Sequence, residues 1–257
     1  MTSNYDEKET ALRKEIEECE KTYGPHDIQL VLHLNRLAQH LKKTGCAAST
    51  VALYERGLAI LEQEYGGEDL SVALFAGYLA AAHAAAGSEA EAAGLLHRAT
   101  GILDMFQSQD PVGVASAFCL LGDDFLQVGR IDEGALLLTV ALRSLPGRSD
   151  DDVRWRIWFS LSRLSAAKED KVAAIAFAKR SVNVLQKIRR EIALQSTEGM
   201  LAFSREVSAV YDYLGGMLFD ALRLAELQQV EAMQQEEACF ELLTESPSER
   251  TIMDALL

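Results

Sequence analysis

The feature that most constrains this chain is a spacing. Gly45, Gly87 and Gly129 recur every 42 residues, and Tyr23-Gly24 returns as Tyr65-Gly66 at the same interval. Similar text surrounds each glycine: Leu37-Ala38 precedes Gly45, Leu79-Ala80 precedes Gly87, and Leu121-Gly122 precedes Gly129. After each glycine comes a second amphipathic stretch, in which Thr50, Tyr54 and Gly57 are matched by Ala92, Leu96 and Ala99, then by Gly134, Leu138 and Ala141. A fixed period of this length signals a stack of supersecondary units. The apolar positions within each copy follow the helical period, so the unit is a helix–turn–helix.

Packing explains the pattern. Leu34, Leu37 and Leu41 form one stripe of the first helix, and a small residue beside it (Ala38, Ala80 or Gly122) lets the second helix approach. Glycine between the helices supplies the left-handed cap that ends the first. One pair cannot bury its own apolar face, so several must stack. With four prolines in 257 residues and abundant Ala, Leu and Glu, the composition favours long helices with short connections. The fold class expected is therefore all-α, an α-α superhelix.

The arrangement resembles the tetratricopeptide repeat, in its 42-residue kinesin-light-chain-like form, a likeness that implies a right-handed course for the superhelix. The wording "LNRLAQHLKKTG" followed by "TVALYERGLAI" carries that likeness, which covers Tyr23 to Leu145. Expected boundaries are a capping helix over 1–22, repeats over 23–65, 66–107, 108–148 and 149–190, and a C-terminal helix pair with an acidic tail over 191–257. In the fourth repeat Trp158, Leu161 and Ser162 face Ala174 and Ser181, and Glu169 stands where glycine is expected. Tyr211 to Leu243 resembles the last helix pair before caspase-like CHAT peptidase domains in bacterial repeat proteins, with Leu222 replacing its glycine. None of the 257 residues reads as such a peptidase domain.

Charge narrows the partners. A formal charge of −14 disfavours nucleic acid and anionic membranes, which need clustered cations. Asp220 to Asp254 holds nine carboxylates against Arg223 and Arg250. The opposite sign gathers in Lys168, Lys171, Lys179, Arg180, Lys187, Arg189 and Arg190, which reads either as a solvated helix face or as a docking strip for an acidic partner. No apolar run reaches the roughly 20 residues of a membrane span, and the polar start carries no signal segment, so a cytoplasmic location is expected.

Chemistry-bearing constellations are sparse. Cys19, Cys46, Cys119 and Cys239 form no metal or disulfide pattern. His26, His33 and His40 share one side of a helix but sit about 10 Å apart at 1.5 Å per residue, too far for one metal ion. Gly66-Gly67 and Gly215-Gly216 lack a phosphate-loop frame, Gly215 reading instead as a packing point. Asp123 and Asp124 diverge by about 100° round a helix and cannot share a proton. The expectation is a non-enzyme with no metal and no cofactor.

What the resemblance implies is a groove lined by the first helices of successive repeats. In register that stripe holds Asn35, Gln39 and Lys42, then Gly77, Ala81 and Ala84, then Cys119, Asp123 and Leu126, then Arg156, Phe159 and Arg163. The second helix, "FAGYLAAAHAAAG", has almost no charge on any side, so its face is either covered by other chain or filled with alanine for helix propensity. The function expected is capture of a protein or peptide, including a CHAT-type peptidase or its substrate. The alternative is a receptor for a short peptide or small signal that alters superhelix curvature.

Overall fold

A computed structural model describes residues 2–147, 151–193, 197–234 and 243–256, with side chains described over 7–147, 152–192, 207–234 and 243–252. Among these residues the regular structure is entirely helical. The chain divides into two compact units, Met1–Arg130 and Ile131–Leu257, and the boundary falls inside the third expected repeat.

In the first unit α1 (Thr2–Tyr23) precedes the pairs α2 (Leu30–Thr44) with α3 (Ala47–Tyr65) and α4 (Leu70–Ala86) with α5 (Glu89–Phe106), and α6 (Pro111–Gln127) closes it. Among the described side chains of α1, Leu12, Ile16 and Cys19 are the buried ones, one stripe at i, i+4 and i+7, as suits a helix that covers one end. Glu15 holds it to α2 through Arg36 at 2.5 Å, and Glu20 holds it to α3 through Arg56 at 2.5 Å. Helix starts are fixed locally. Asp69 accepts from the Ser71 amide at 2.7 Å before α4, and Asp110 accepts from the Gly113 amide at 2.8 Å before α6, whose first residue is Pro111.

Helix α4 is covered on all sides. Ten of its residues, from Val72 to Ala82, are buried, and α3, α5 and α6 all pack on it. A Cβ on Gly77 would fall 2.3 Å from Leu121 Cδ2 of α6, and one on Gly57 of α3 would fall 2.6 Å from Phe75 Cε1. Neighbouring backbones therefore approach where the side chain is absent. A helix apolar all round is a buried helix, and this accounts for the uncharged alanine-rich sequence.

The second unit runs through α7 (Ile131–Ser144), α8 (Asp151–Ala167), α9 (Lys171–Ala193), α10 (Thr197–Asp220), α11 (Leu224–Gln234) and α12 (Pro247–Leu256). The expected contacts of the fourth repeat are all interior: Trp158, Leu161, Ser162, Ala174 and Ser181 are at most 3% exposed. Trp158 stacks on Phe177 with centroids 5.8 Å apart, and Ser162 donates to the Ala174 carbonyl at 2.6 Å. Gly215 has room to spare, since a Cβ there would meet Leu227 at an ordinary 3.5 Å. Close packing does not demand glycine at that point.

The turns keep the same backbone form in both units, although the 42-residue interval holds only as far as Gly129. Gly45, Gly87 and Gly129 have φ of +77°, +82° and +79°, and Glu169 and Leu222, which replace glycine, keep the same left-handed turn at +61° and +56°. An L-residue there is strained by roughly 1–2 kcal/mol.

Candidate functional site

The expected stripe meets two different fates. In the first unit it becomes interior. Gly77, Ala81 and Cys119 are buried, Ala84, Asp123 and Leu126 are half-buried, and Leu121 of α6 lies directly on Gly77. These positions offer no open wall within the unit, because α6 occupies the space that a groove would need.

At its edge lies a charged cluster. Lys42 of α2 forms an ion pair with Asp124 of α6, and Gln39 donates to the same carboxylate at 3.3 Å. Sequence register had put Asp123 beside these residues; the partner is Asp124, one position and about 100° further round the helix. The Lys42 ammonium also sits over the rings of Tyr54 and Tyr78, 5.5 and 5.8 Å from their centroids. Burial pushes the Asp124 carboxyl above its ordinary range, and attraction to Lys42 with the hydrogen bonds from Lys42 and Gln39 offsets this only in part. Both tyrosines are raised as well, first by burial and then by the Asp124 charge. Tyr54 Oη and Asn35 Oδ1 are buried without a hydrogen-bond partner, so the cluster is polar but incompletely satisfied.

In the second unit the stripe reaches the surface. Arg156 is exposed and its guanidinium lies 4.8 Å from the Trp155 ring centroid, while Phe159 and Arg163 are half-buried. Phe159 meets Tyr213 of α10 edge to face at 5.3 Å. Burial raises the Tyr213 hydroxyl's pKa, with Ser162 and the Arg163 charge acting against it. The spacing 156, 159, 163 puts an aromatic between two guanidiniums on one helix face, about 10 Å apart along the axis.

The basic run divides: Lys168, Lys171, Lys187 and Arg190 are exposed, whereas Lys179, Arg180 and Arg189 are turned against other parts of the chain. Lys179 is fully buried and Arg189 nearly so. Lys179 pairs with Glu226 of α11 at 2.5 Å and Glu249 of α12 at 3.1 Å, and Arg223 pairs with the same two carboxylates at 2.5 and 2.6 Å. Arg180 pairs with Glu245 at 2.6 Å. Burial alone would raise Glu249; the hydrogen bonds from Arg223, the Ser246 amide and Lys179 outweigh it and hold the carboxyl below its usual range. The acidic partner of Lys179 and Arg180 is thus the chain's own C-terminal part, while Lys168 pairs with Asp132. Nothing in the sequence pattern pairs positions about 65 residues apart, although the opposite charges of the two runs were visible.

A cleft of about 500 Å³ lies where α8, α9 and α10 end or begin, lined by Ala166, Ile175 and Met217 with Glu169 and Asp220 at its edge. Among the described residues no three His, Cys, Asp or Glu side chains converge as a metal set, and no helix is long and apolar enough to cross a membrane. His33 instead contacts Glu15 at 3.3 Å, and His40 is buried. No protein-family model matches the chain, and no curated protein matches it.

Proposed function

We propose that the chain is a non-catalytic interaction module, a right-handed superhelix of tetratricopeptide-like helix pairs that holds a protein or peptide in the cytoplasm. The observation that carries this reading is the α8 stripe of Arg156, Phe159 and Arg163. Aromatic and arginine side chains are the residue types that dominate binding energy at protein interfaces. Phe159 supplies an apolar contact already held by Tyr213, which lowers the entropy lost on binding. The two arginines supply planar donors for carboxylates on either side. The ligand chemistry that fits is an acidic segment with an apolar residue between its carboxylates.

The resemblance of the C-terminal helix pair adds a context. Such a module would recruit the substrate of a CHAT-type peptidase, or restrain the peptidase itself. Selection of displayed peptides on the full chain, followed by calorimetry, tests the reading. Selected ligands should carry acid on both sides of an apolar residue, and Arg156→Glu with Arg163→Glu should weaken them at least tenfold at unchanged helicity. Ligands that bind the double variant equally well would remove the α8 stripe from the account.

A further inference from the structure

The C-terminal residues lie on α9 as a bound peptide lies on a receptor. Residues 243–246 take no regular structure, and Asn183 of α9 grips their main chain from both sides: its Nδ2 donates to the Leu243 carbonyl at 2.9 Å, and its Oδ1 accepts from the Leu243 amide at 2.7 Å. One turn earlier on the same face, Lys179 donates to the Thr244 carbonyl at 2.9 Å. Leu243 is 4% exposed and acts as the apolar anchor. Arg180 takes the Glu245 carboxylate at 2.6 Å. Beyond it the Ser246 Oγ accepts from the Glu249 amide at 3.4 Å while Glu249 accepts from the Ser246 amide at 2.6 Å, a capping box that starts α12 and aims Glu249 at Lys179.

Two kinds of contact are separable here. Asn183 and Lys179 read backbone, which any extended segment presents, and this is how peptide receptors gain affinity without regard to sequence. Leucine burial and the Arg180 and Lys179 charges read side chains, which gives selectivity. Buried main-chain groups outside a helix need partners in any case; here a single side-chain amide serves both the amide and the carbonyl of Leu243, the pairing that a bound extended peptide receives.

We infer that this strip of α9, formed by Lys179, Arg180 and Asn183, is a peptide-binding surface for an extended acidic segment with leucine two residues before glutamate. The chain's own residues 243–249 fill it in cis, and a partner protein carrying such a segment binds by displacing them. The partner class follows from charge complementarity and from the seated segment itself. This goes beyond the α8 reading: it concerns another helix and stands even if the α8 stripe binds nothing.

Competition between cis and trans ligands sets the expected numbers. A tethered segment acts at an effective concentration on the order of 1 mM, so with an intrinsic Kd of about 10 µM it weakens a trans ligand about 100-fold. Removing one charge-assisted hydrogen bond from the cis segment weakens that segment about tenfold, and the trans ligand then binds about tenfold more tightly.

The probe is a fluorescent peptide with the sequence of residues 243–256, titrated by polarisation into the full chain. Glu245→Lys, which leaves α9 untouched, should bind it about tenfold more tightly than the unaltered chain, and the milder Glu245→Gln should move the same way by a smaller factor. A probe peptide carrying Glu245→Lys, which weakens the trans ligand alone, should bind every chain about tenfold more weakly than the unaltered probe, and a scrambled peptide should not bind. Tryptophan emission and circular dichroism establish that the variants are folded. Binding no tighter in both Glu245 variants, or undiminished for the Glu245→Lys probe, or equal for the scrambled peptide, overturns the inference.

Discussion

Lys42 and Asp124, separated by 82 residues, pair inside the first unit with side chains only 5% and 4% exposed. Two charges removed from water this far gain little net stability from each other, whereas removal of one strands the other. Lys42→Met and Asp124→Leu should each destabilise the first unit by roughly 3–5 kcal/mol, and the double replacement should recover most of that loss. Urea unfolding of the two single variants and the double one, followed by circular dichroism, provides the cycle. Additive losses would mean that the pair is not coupled.

Gly77 and Leu121 make a second couple in the same unit. Gly77→Ala should destabilise by about 1–3 kcal/mol through overpacking, although alanine is the better helix former by about 1 kcal/mol. Leu121→Ala should cost about 2–5 kcal/mol. Because the added methyl enters the space vacated by leucine, the double variant should cost clearly less than the two single losses together. A stabilised Gly77→Ala would show that α6 does not press on α4 there.

Glu249 predicts a pH dependence for the second unit. Its folded pKa is depressed, so the unfolded chain binds the proton more tightly. Its contribution is present at neutral pH and is lost as pH falls from about 4.3, the ordinary glutamate value, through the folded value. Glu249→Gln should therefore be less stable than the unaltered chain at pH 7, with the gap narrowing as pH falls below about 4. Both tryptophans, Trp155 and Trp158, lie in the second unit, so their emission reports on it alone. Asp124 has the opposite sign. Its folded pKa is raised, and its unfavourable contribution at neutral pH fades as pH falls through that value.

The left-handed turns give a prediction in the stabilising direction. Leu222 combines a positive φ with 80% exposure, so it is strained and presents apolar surface to water. Leu222→Gly should raise the stability of the second unit by up to about 1 kcal/mol, the relief of strain exceeding the added freedom of the unfolded chain. A loss of stability followed by tryptophan emission would show that Leu222 makes contacts the turn depends on.

These turns were also the most legible part of the chain. Register placed Glu169 at the cap position, two residues short of the 42-residue interval, and the likeness of the C-terminal helix pair placed Leu222 there; both have the left-handed backbone that a cap requires. The interior fate of Gly77 and Ala81 was legible in part: the uncharged helix admitted coverage by other chain as one of two readings, but without a polar face it gave no sign of which helix covers it. Asp124 was missed for a related reason: the choice between adjacent carboxylates depends on how α2 and α6 approach, which periodicity does not encode. The charge runs at 168–190 and 220–254 stood out in sequence, but their pairing is tertiary, and Lys179, Arg180 and Asn183 became a site only when Leu243 to Glu249 lay upon them.

The central claim, that a partner is held on the α8 stripe, is tested most directly by photocrosslinking in the native cell. Benzoylphenylalanine replaces Phe159 in one chain and, as control, Leu136 of α7, which is 66% exposed in the same unit. The account predicts one defined adduct from position 159, blocked by excess selected peptide, lost with Arg156→Glu and Arg163→Glu, and absent from position 136. Equal crosslinking at both positions, or none at 159, would contradict it.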